Sequence, residues 1–277
     1  MNTSLCVSCI SWFHFPEGCH VGQRIAKALF ADNGPLTPAD RRTFKNEIEE
    51  AVCAYVLKPD NAYLNVWSDG EREYDSLAVI EITLRKTGKA ERIAELFHRT
   101  MPYPLLLILN HGIHRIHGED EKENSPDVPC SSVAFRGSEV MFSMAEKRIS
   151  RDGREQVVLE HTVNTPWLCE TDLSAFYAAA DYSKFRKNTF QDLYFHYLNL
   201  LEALICSRLT GILQIDGVNP EVRRKMLTEI HALEQEIASI KAQAKKETEL
   251  SKLVELNMAV KRLQQQKEQS IKKLNHE

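Results

Sequence analysis

Over the first two hundred residues apolar positions come in short blocks, and over the last sixty they come singly at helical steps. Behind Thr37-Pro38-Ala39-Asp40, which offers an N-cap, a first-turn proline and an acid, Phe44, Ile48, Ala51, Val52 and Tyr55 share one helical face. The spacing predicts a single helix running to the residue before Pro59, and a further helix over residues 21–30. Residues 76–85 are nearly continuously apolar, as a buried strand would be. Residues 89–100 read as a helix with Ile93, Leu96 and Phe97 inward, and residues 105–109 as a second buried strand. Strand, helix and strand within about thirty-five residues predict a βαβ crossover with parallel strands.

A short strand is expected at 113–117, and the acidic, proline-containing stretch 118–132 reads as a surface loop. Two β-type runs, 139–149 and 155–163, flank Arg151-Asp152-Gly153-Arg154, a hairpin signal. Asp172 is expected to cap a helix over 173–182. Asn188 and Gln191 resemble a capping box for a helix with Phe190, Leu193, Tyr194, Tyr197, Leu201, Leu204 and Ile205 on one face, ended by Gly211.

After Pro220 the chain holds neither Gly nor Pro to its last residue. Met226, Ile230, Leu233, Ile237, Ile240 and Ala244 form a seam stepping by fours and threes, the mark of a helix that wants a partner helix. Leu250, Leu253 and Leu256 then follow by threes, before Val260 and Leu263, so the frame slips. Two forms fit: one continuous helix of roughly 85 Å, or two antiparallel helices turning at Lys245-Lys246-Glu247-Thr248. The fold class is therefore α+β: a small mixed β-sheet with a βαβ unit and a β-hairpin, surrounding helices, and a C-terminal coiled-coil or helical-hairpin arm. The expected divisions are an irregular leader 1–20, a body 21–217 and an arm 218–277.

Composition adds limits. With 43% apolar and 27% charged residues the chain is ordinary for a globular protein, and no apolar run reaches membrane-span length. The start is a poor signal peptide, so the cytoplasm is the expected location. From Val218 onward 12 Lys/Arg face 9 Asp/Glu, a balance of +3; the rest carries 23 against 30, a balance of −7. An acidic body argues against a general nucleic-acid coat but allows a local basic groove. The 7 cysteines form no regular framework and read as reduced thiols.

Several short motifs occur in a fixed order: Tyr55-Val56-Leu57-Lys58-Pro59, Ile80-Glu81-Ile82-Thr83-Leu84, Met101-Pro102-Tyr103-Pro104-Leu105-Leu106, Ala145-Glu146-Lys147-Arg148, Glu160, Trp167, and Val254-Glu255-Leu256-Asn257-Met258. Together they resemble the bacterial domain-of-unknown-function 4391 family. The segment before His20 and the acidic loop look like additions to that pattern, and Thr83 and Arg85 stand where an acid and a lysine are expected. The resemblance implies a bacterial cytosolic protein whose relatives lie beside helicases, DNA methyltransferases and restriction-type nucleases. It implies no activity and no catalytic residues.

The candidate chemistry is sparse. Asp75 and Glu81 occupy positions where a restriction-type nuclease would hold Mg²⁺, but Arg85 cannot act as a base. Lys147, Arg148, Arg151 and Arg154 cluster around the hairpin turn and, with Trp167 as a stacking face, form a candidate nucleic-acid site; Tyr103 is a second stacking face. Cys6, Cys9, Cys19 and His20 make awkward zinc geometry, and His111, His114 and His117 alternate faces on a strand. Glu160-His161 is no dyad for the same reason, and isolated glycines offer no phosphate loop. The seam residues Met226, Ile230, Leu233, Ile237, Ile240, Leu256, Val260 and Leu263 are the candidate partner-binding set. The expected function is a non-catalytic accessory subunit of a bacterial antiviral-defence or DNA-processing assembly. Its arm would hold a second copy or a helicase, methyltransferase or nuclease, with DNA as a further partner and no cofactor. The alternatives are a divergent Mg²⁺ nuclease and a structural homodimer.

Overall fold

The computed structural model describes residues 13–26, 36–111, 139–150, 157–169, 173–186, 188–215 and 217–274. Its compact units are 1–198 and 199–277.

The first unit is built on a mixed sheet: β1 (His20–Arg24), β2 (Ile48–Leu57), β5 (Leu77–Leu84), β6 (Leu105–His111), β7 (Glu139–Ile149) and β8 (Val157–Asn164), in that spatial order, with β9 (Leu168–Cys169) on the start of β7. β3 (Trp67–Ser68) and β4 (Glu73–Tyr74) pair as a separate hairpin. Among the described residues only the β5–β6 sheet pair is parallel, joined through α3 (Ala90–Thr100), which is the expected βαβ unit. The β7–β8 hairpin also forms as expected, though its turn at 151–156 lies outside the described residues. The strand expected at 113–117 and the loop expected at 118–132 also lie outside the described residues.

The long early helix is overturned. α1 (Pro38–Glu47) ends at Glu47, and Ile48 to Leu57 is a strand paired on both sides, with β1 and with β5. The reason lies in two register shifts, between Ile48 and Glu50 and between Cys53 and Tyr55. Each inserts a residue and slips the inward phase, so Ile48, Ala51, Ala54 and Leu57 are buried at steps of three. A twice-bulged strand thus imitates helical periodicity. Likewise residues 20–24 are strand rather than helix, and residues 27–30 of that expected helix lie outside the described residues.

One sheet face is covered by α1 and α3: Ile80, Ile82, Leu84, Leu107 and Leu109 pack with Phe44, Ile93 and Phe97, whose rings stack at 5.6 Å. Arg92 on α3 grips Asp40 on α1 through two 3.0 Å hydrogen bonds, joining the covering helices. The other layer is aromatic. Phe13, 1% exposed, meets Phe15, Phe142, Phe176, Tyr177 and Tyr197 at centroid distances of 5.4–6.4 Å. Phe13, Phe15 and Cys19, read above as part of an added leader, are therefore core. α4 (Ser174–Ala180) contributes Phe176 and Tyr177; its expected cap Asp172 lies outside the described residues. α5 (Phe190–Thr210) starts one residue later than expected: Thr189 Oγ1 accepts the Asp192 amide and donates to its carboxylate. It ends at Gly211, whose φ of +81° suits the left-handed exit.

The second unit contains α6 (Pro220–Ala244) and α7 (Leu250–Leu274), so the arm is a helical hairpin and not one continuous rod. α2 (Pro59–Ala62) is a single turn in the body. The seam of α6 runs Arg223, Met226, Ile230, Leu233, Ile237, Ile240, Ala244; that of α7 runs Leu253, Leu256, Val260, Leu263, Lys267, Ser270, Leu274. Each steps by threes and fours in strict alternation. Nine residues separate Ala244 from Leu253, and at about 100° per residue a continuous helix would set the two seams on opposite faces. Folding back turns them toward each other: Met226, Ile230 and Leu274 cluster with Cys206, Lys267 bonds Glu234, and Ser270 reaches Glu229 at 3.4 Å. Glu247 Oε1 accepts the amides of Thr248 and Glu249 at the turn. At the base, buried Arg223 donates to the carbonyls of Asn199, Gln214 and Ile215, tying down the linker after α5.

Candidate functional site

In the body a cleft arises where β7 outruns β6. Their ladder stops at the Leu107–Ser143 pair, while β7 continues six residues to Ile149. The gap is a half-open cleft of about 200 Å³ lined by Tyr74, Asp75, Tyr103, Pro104, Lys147, Arg148 and Tyr194, among others. Tyr194 supplies what the missing strand would have: its hydroxyl accepts the Ala145 amide at 3.0 Å and donates to the Ala145 carbonyl at 2.6 Å. Burial pushes its pKa well above the phenol range, so it stays a neutral bridge. Tyr74 packs its ring on Tyr194 and is itself buried, with its pKa raised by burial.

Lys147 does not reach a surface phosphate. It is 9% exposed, and its ammonium donates to the carbonyls of Met101 and Tyr103 at 2.7 and 2.6 Å. Burial pushes its pKa well below the lysine range. Against that, the two carbonyls, sited just past the C-terminal end of α3, favour the charged form. The side chain acts as a clamp holding the α3–β6 connection to β7. Arg148 is also engaged: Glu160 on β8 receives it at 3.5 Å and receives Arg72 at 2.7 Å. That shared carboxylate fastens the turn of the β3–β4 hairpin to the main sheet.

The other sequence-derived candidates are dispersed. Trp167 is half-buried against the core beside His111, next to β9 at the start of β7; Arg148 stands at the far end of that strand. Arg151 and Arg154 lie outside the described residues, as do His114, His117, Cys6 and Cys9. Glu81 accepts a 2.7 Å hydrogen bond from buried Asn110 within the sheet. It sits four residues, about 13 Å, along β5 from Leu77, whereas Asp75 lines the cleft before that strand begins. The two carboxylates proposed to share Mg²⁺ do not converge, and among the described residues no three His, Cys, Asp or Glu side chains cluster. Cys19, buried, has its thiol pushed up to about 11 by burial and is inert.

The seam residues are likewise committed. Met226, Ile230, Leu233, Ile237, Ile240, Leu256, Val260 and Leu263 face the opposite helix of the same hairpin, so the partner their spacing called for is the chain itself. A different set is left over. Leu250, Val254 and Met258, at 74%, 50% and 53% exposure, lie on α7 at steps of four. With Val254 at 0°, Leu250 and Met258 fall about 40° to either side, and the buried seam lies on the opposite side of the helix. The corresponding outer positions of α6 are Lys225, Thr228, Ala232, Gln235, Ser239 and Ala242, an ordinary solvated face. Sequence reasoning placed Leu250 in the seam; the i, i+4, i+8 spacing of the three residues was the available signal for a second stripe.

The described residues thus form a mixed-sheet α+β body and a helical hairpin, with an exposed apolar stripe on α7. The chain belongs to the DUF4391 family: the model of that domain of unknown function matches residues 13–266. The match takes in Phe13, Phe15 and Cys19, in keeping with their place in the core. No curated protein matches the chain, and no solved structure does.

Proposed function

We propose that this protein is a non-catalytic association subunit, cytoplasmic and working within a bacterial defence or DNA-processing assembly, that joins other polypeptide through the outer face of α7. The observation that carries this reading is the stripe of Leu250, Val254 and Met258, left in solvent on a helix whose seam is already closed. Soluble helices expose single apolar residues freely, but three in line on one face mark an association surface. The assembly context comes from the family resemblance. The cleft supports the same reading in part, because Lys147, Tyr194 and Arg148 are spent on holding β7, β8 and neighbouring connections in place.

The test is to purify the tagged full chain from its native host with neighbouring genes intact, as wild type and as Val254→Glu. The wild type is expected in a stoichiometric assembly, with itself or with an encoded helicase, methyltransferase or nuclease. The variant should lose that assembly while keeping its helical circular dichroism. An assembly that is indifferent to Val254→Glu overturns the reading. No helix among the described residues is long and apolar enough to cross a membrane.

A further inference from the structure

We infer that the surface formed by the outer face of α1 and the turn joining β5 to α3 binds the phosphate backbone of a nucleic-acid duplex. It lies in the first unit and does not depend on the association reading, which rests on α7 in the second.

On α1, Asp40, Thr43 and Phe44 turn inward, and at about 100° per residue Arg41, Arg42 and Lys45 share the opposite face. Beside them the turn after β5 carries Arg85, Lys86 and Lys89, all exposed. Hydrogen bonds join the two segments. The Arg85 amide donates to the Glu47 carbonyl at 2.8 Å, and Lys89 Nζ donates to Thr43 Oγ1 at 3.3 Å. Arg85 Nη1 also reaches the carbonyls of Asn46 and Lys45 at 3.4 and 3.5 Å, which sets its guanidinium against the last turn of α1. Six cations thus occupy one end of a body whose formal balance is −7. The acids bordering them, Glu47, Glu49 and Glu91, leave an excess of three positive charges, since Asp40 is taken by Arg92.

What sets these six apart is that they are unpaired. Among the described residues none of them comes within 4.0 Å of a carboxylate. Elsewhere in the first unit Arg24, Arg72, Arg92, Arg99 and Arg148 each hold an acid, and of the other described arginines only Arg186 does not. Arg41 and Arg42 stand four and three residues from Lys45 on one helical face, where like charges repel. A polyanion relieves that repulsion and releases its own counterions on binding. Three features select a nucleic-acid duplex as that polyanion. No large apolar side chain is exposed on either segment, so nothing enters a lipid layer or builds the apolar centre of a protein interface. Phe44 and Phe97 are buried, which leaves no ring to stack on the unpaired bases of a single strand. Three of the six cations are arginines, whose planar fork suits phosphate oxygens. Contact with the backbone alone reads no bases, so the affinity is independent of sequence.

The experiment is fluorescence anisotropy of labelled DNA and RNA duplexes of about 20 base pairs, two helical turns, titrated with the full chain between about 0.05 and 0.2 M salt. Wild type should bind at least one of them, with an affinity that falls steeply with salt and ignores base sequence. Arg41→Gln combined with Arg42→Gln should weaken binding at least about tenfold and reduce the slope of log affinity against log salt by about 2. Gly88→Glu should weaken it too: a Cβ there meets nothing within 4 Å, so the added acid enters open space and does not act through misfolding. Arg151→Gln combined with Arg154→Gln on the hairpin, and Val254→Glu on the arm, should bind as wild type does. The inference is overturned if wild type binds neither duplex at about 0.05 M salt, or if both α1 and Gly88 variants keep wild-type affinity and slope. Loss confined to the hairpin pair overturns it as well, and so does tighter binding to anionic vesicles or to a single strand than to the duplex.

Discussion

At the scale of single residues, two titrating groups carry testable stability. Asp40 is held at about 2, below its ordinary 3.8, first by the hydrogen bonds from Arg92 and then by Thr37. A carboxylate lowered in the folded state stabilises fully above its unfolded pKa, and that contribution is lost as pH falls through the folded value. Asp40→Asn should therefore cost about 1–2 kcal/mol in urea unfolding at pH 7, with Arg92 half open to water tempering the loss. The gap from wild type should close as the pH is brought down toward about 2. His98 behaves in the opposite ionic sense. It is fully buried, its Nε2 lies 3.0 Å from Ser143 Oγ, and burial, aided by Lys147, holds its pKa well below 6.5. It folds neutral, whereas the unfolded chain takes up a proton below about pH 6.5, so its contribution is complete above that pH and lost beneath it. His98→Gln should reduce the pH-slope of stability below about pH 6.5 by up to about 1.4 kcal/mol per unit. Unchanged urea midpoints across that range would refute the neutral buried imidazole.

Elements show why pattern and structure diverged at β2 and agreed elsewhere. β5, α3 and β6 were legible because each carries one unbroken period. β2 was not, because its two register shifts turn a period of two into steps of three, and only pairing with β1 and β5 tells strand from helix. Val52 is paired on both sides, opposite Arg24 and Glu81. Val52→Pro should accordingly cost about 3 kcal/mol or more by deleting a central ladder donor, whereas the helix once expected there ended only at Pro59. Loss of cooperative thermal unfolding is the readout. In the arm, Ile237 is 8% exposed in the seam. Ile237→Asp should open α6 and α7 locally, so hydrogen exchange over 220–274 accelerates while β5–β7 amides keep their protection. Uniform acceleration across the chain would contradict two separately organised units.

For the whole molecule, charge and association separate the remaining readings. The body is acidic and the arm mildly basic, yet the α7 stripe is free of charge from Leu250 to Met258 apart from Lys252 and Glu255, which lie off its face. Assembly through it should change little between about 0.05 and 0.5 M salt, over which surface charge interactions are largely screened. Binding that falls steeply with salt would point instead to phosphate contacts by basic residues, with Arg148 already sharing Glu160 and Lys147 spent on carbonyls. Affinity of assembly measured across that salt range decides between them.

The sequence by itself determined the α+β class, the βαβ unit, the β7–β8 hairpin, the arm's seam and the family. These follow from local periodicity and turn chemistry, which do not depend on distant partners. Tertiary structure alone decided what the residues are used for. Lys147 looked like a phosphate ligand until the connection leading into β6 presented two carbonyls for it to bind. Asp75 and Glu81 looked like a pair until strand geometry set them apart. The arm's seam looked like a docking surface until the turn between Ala244 and Leu253 set its two halves face to face. A side chain's chemistry is written in the sequence, but its availability depends on which donors, acceptors and apolar surfaces the fold has already consumed.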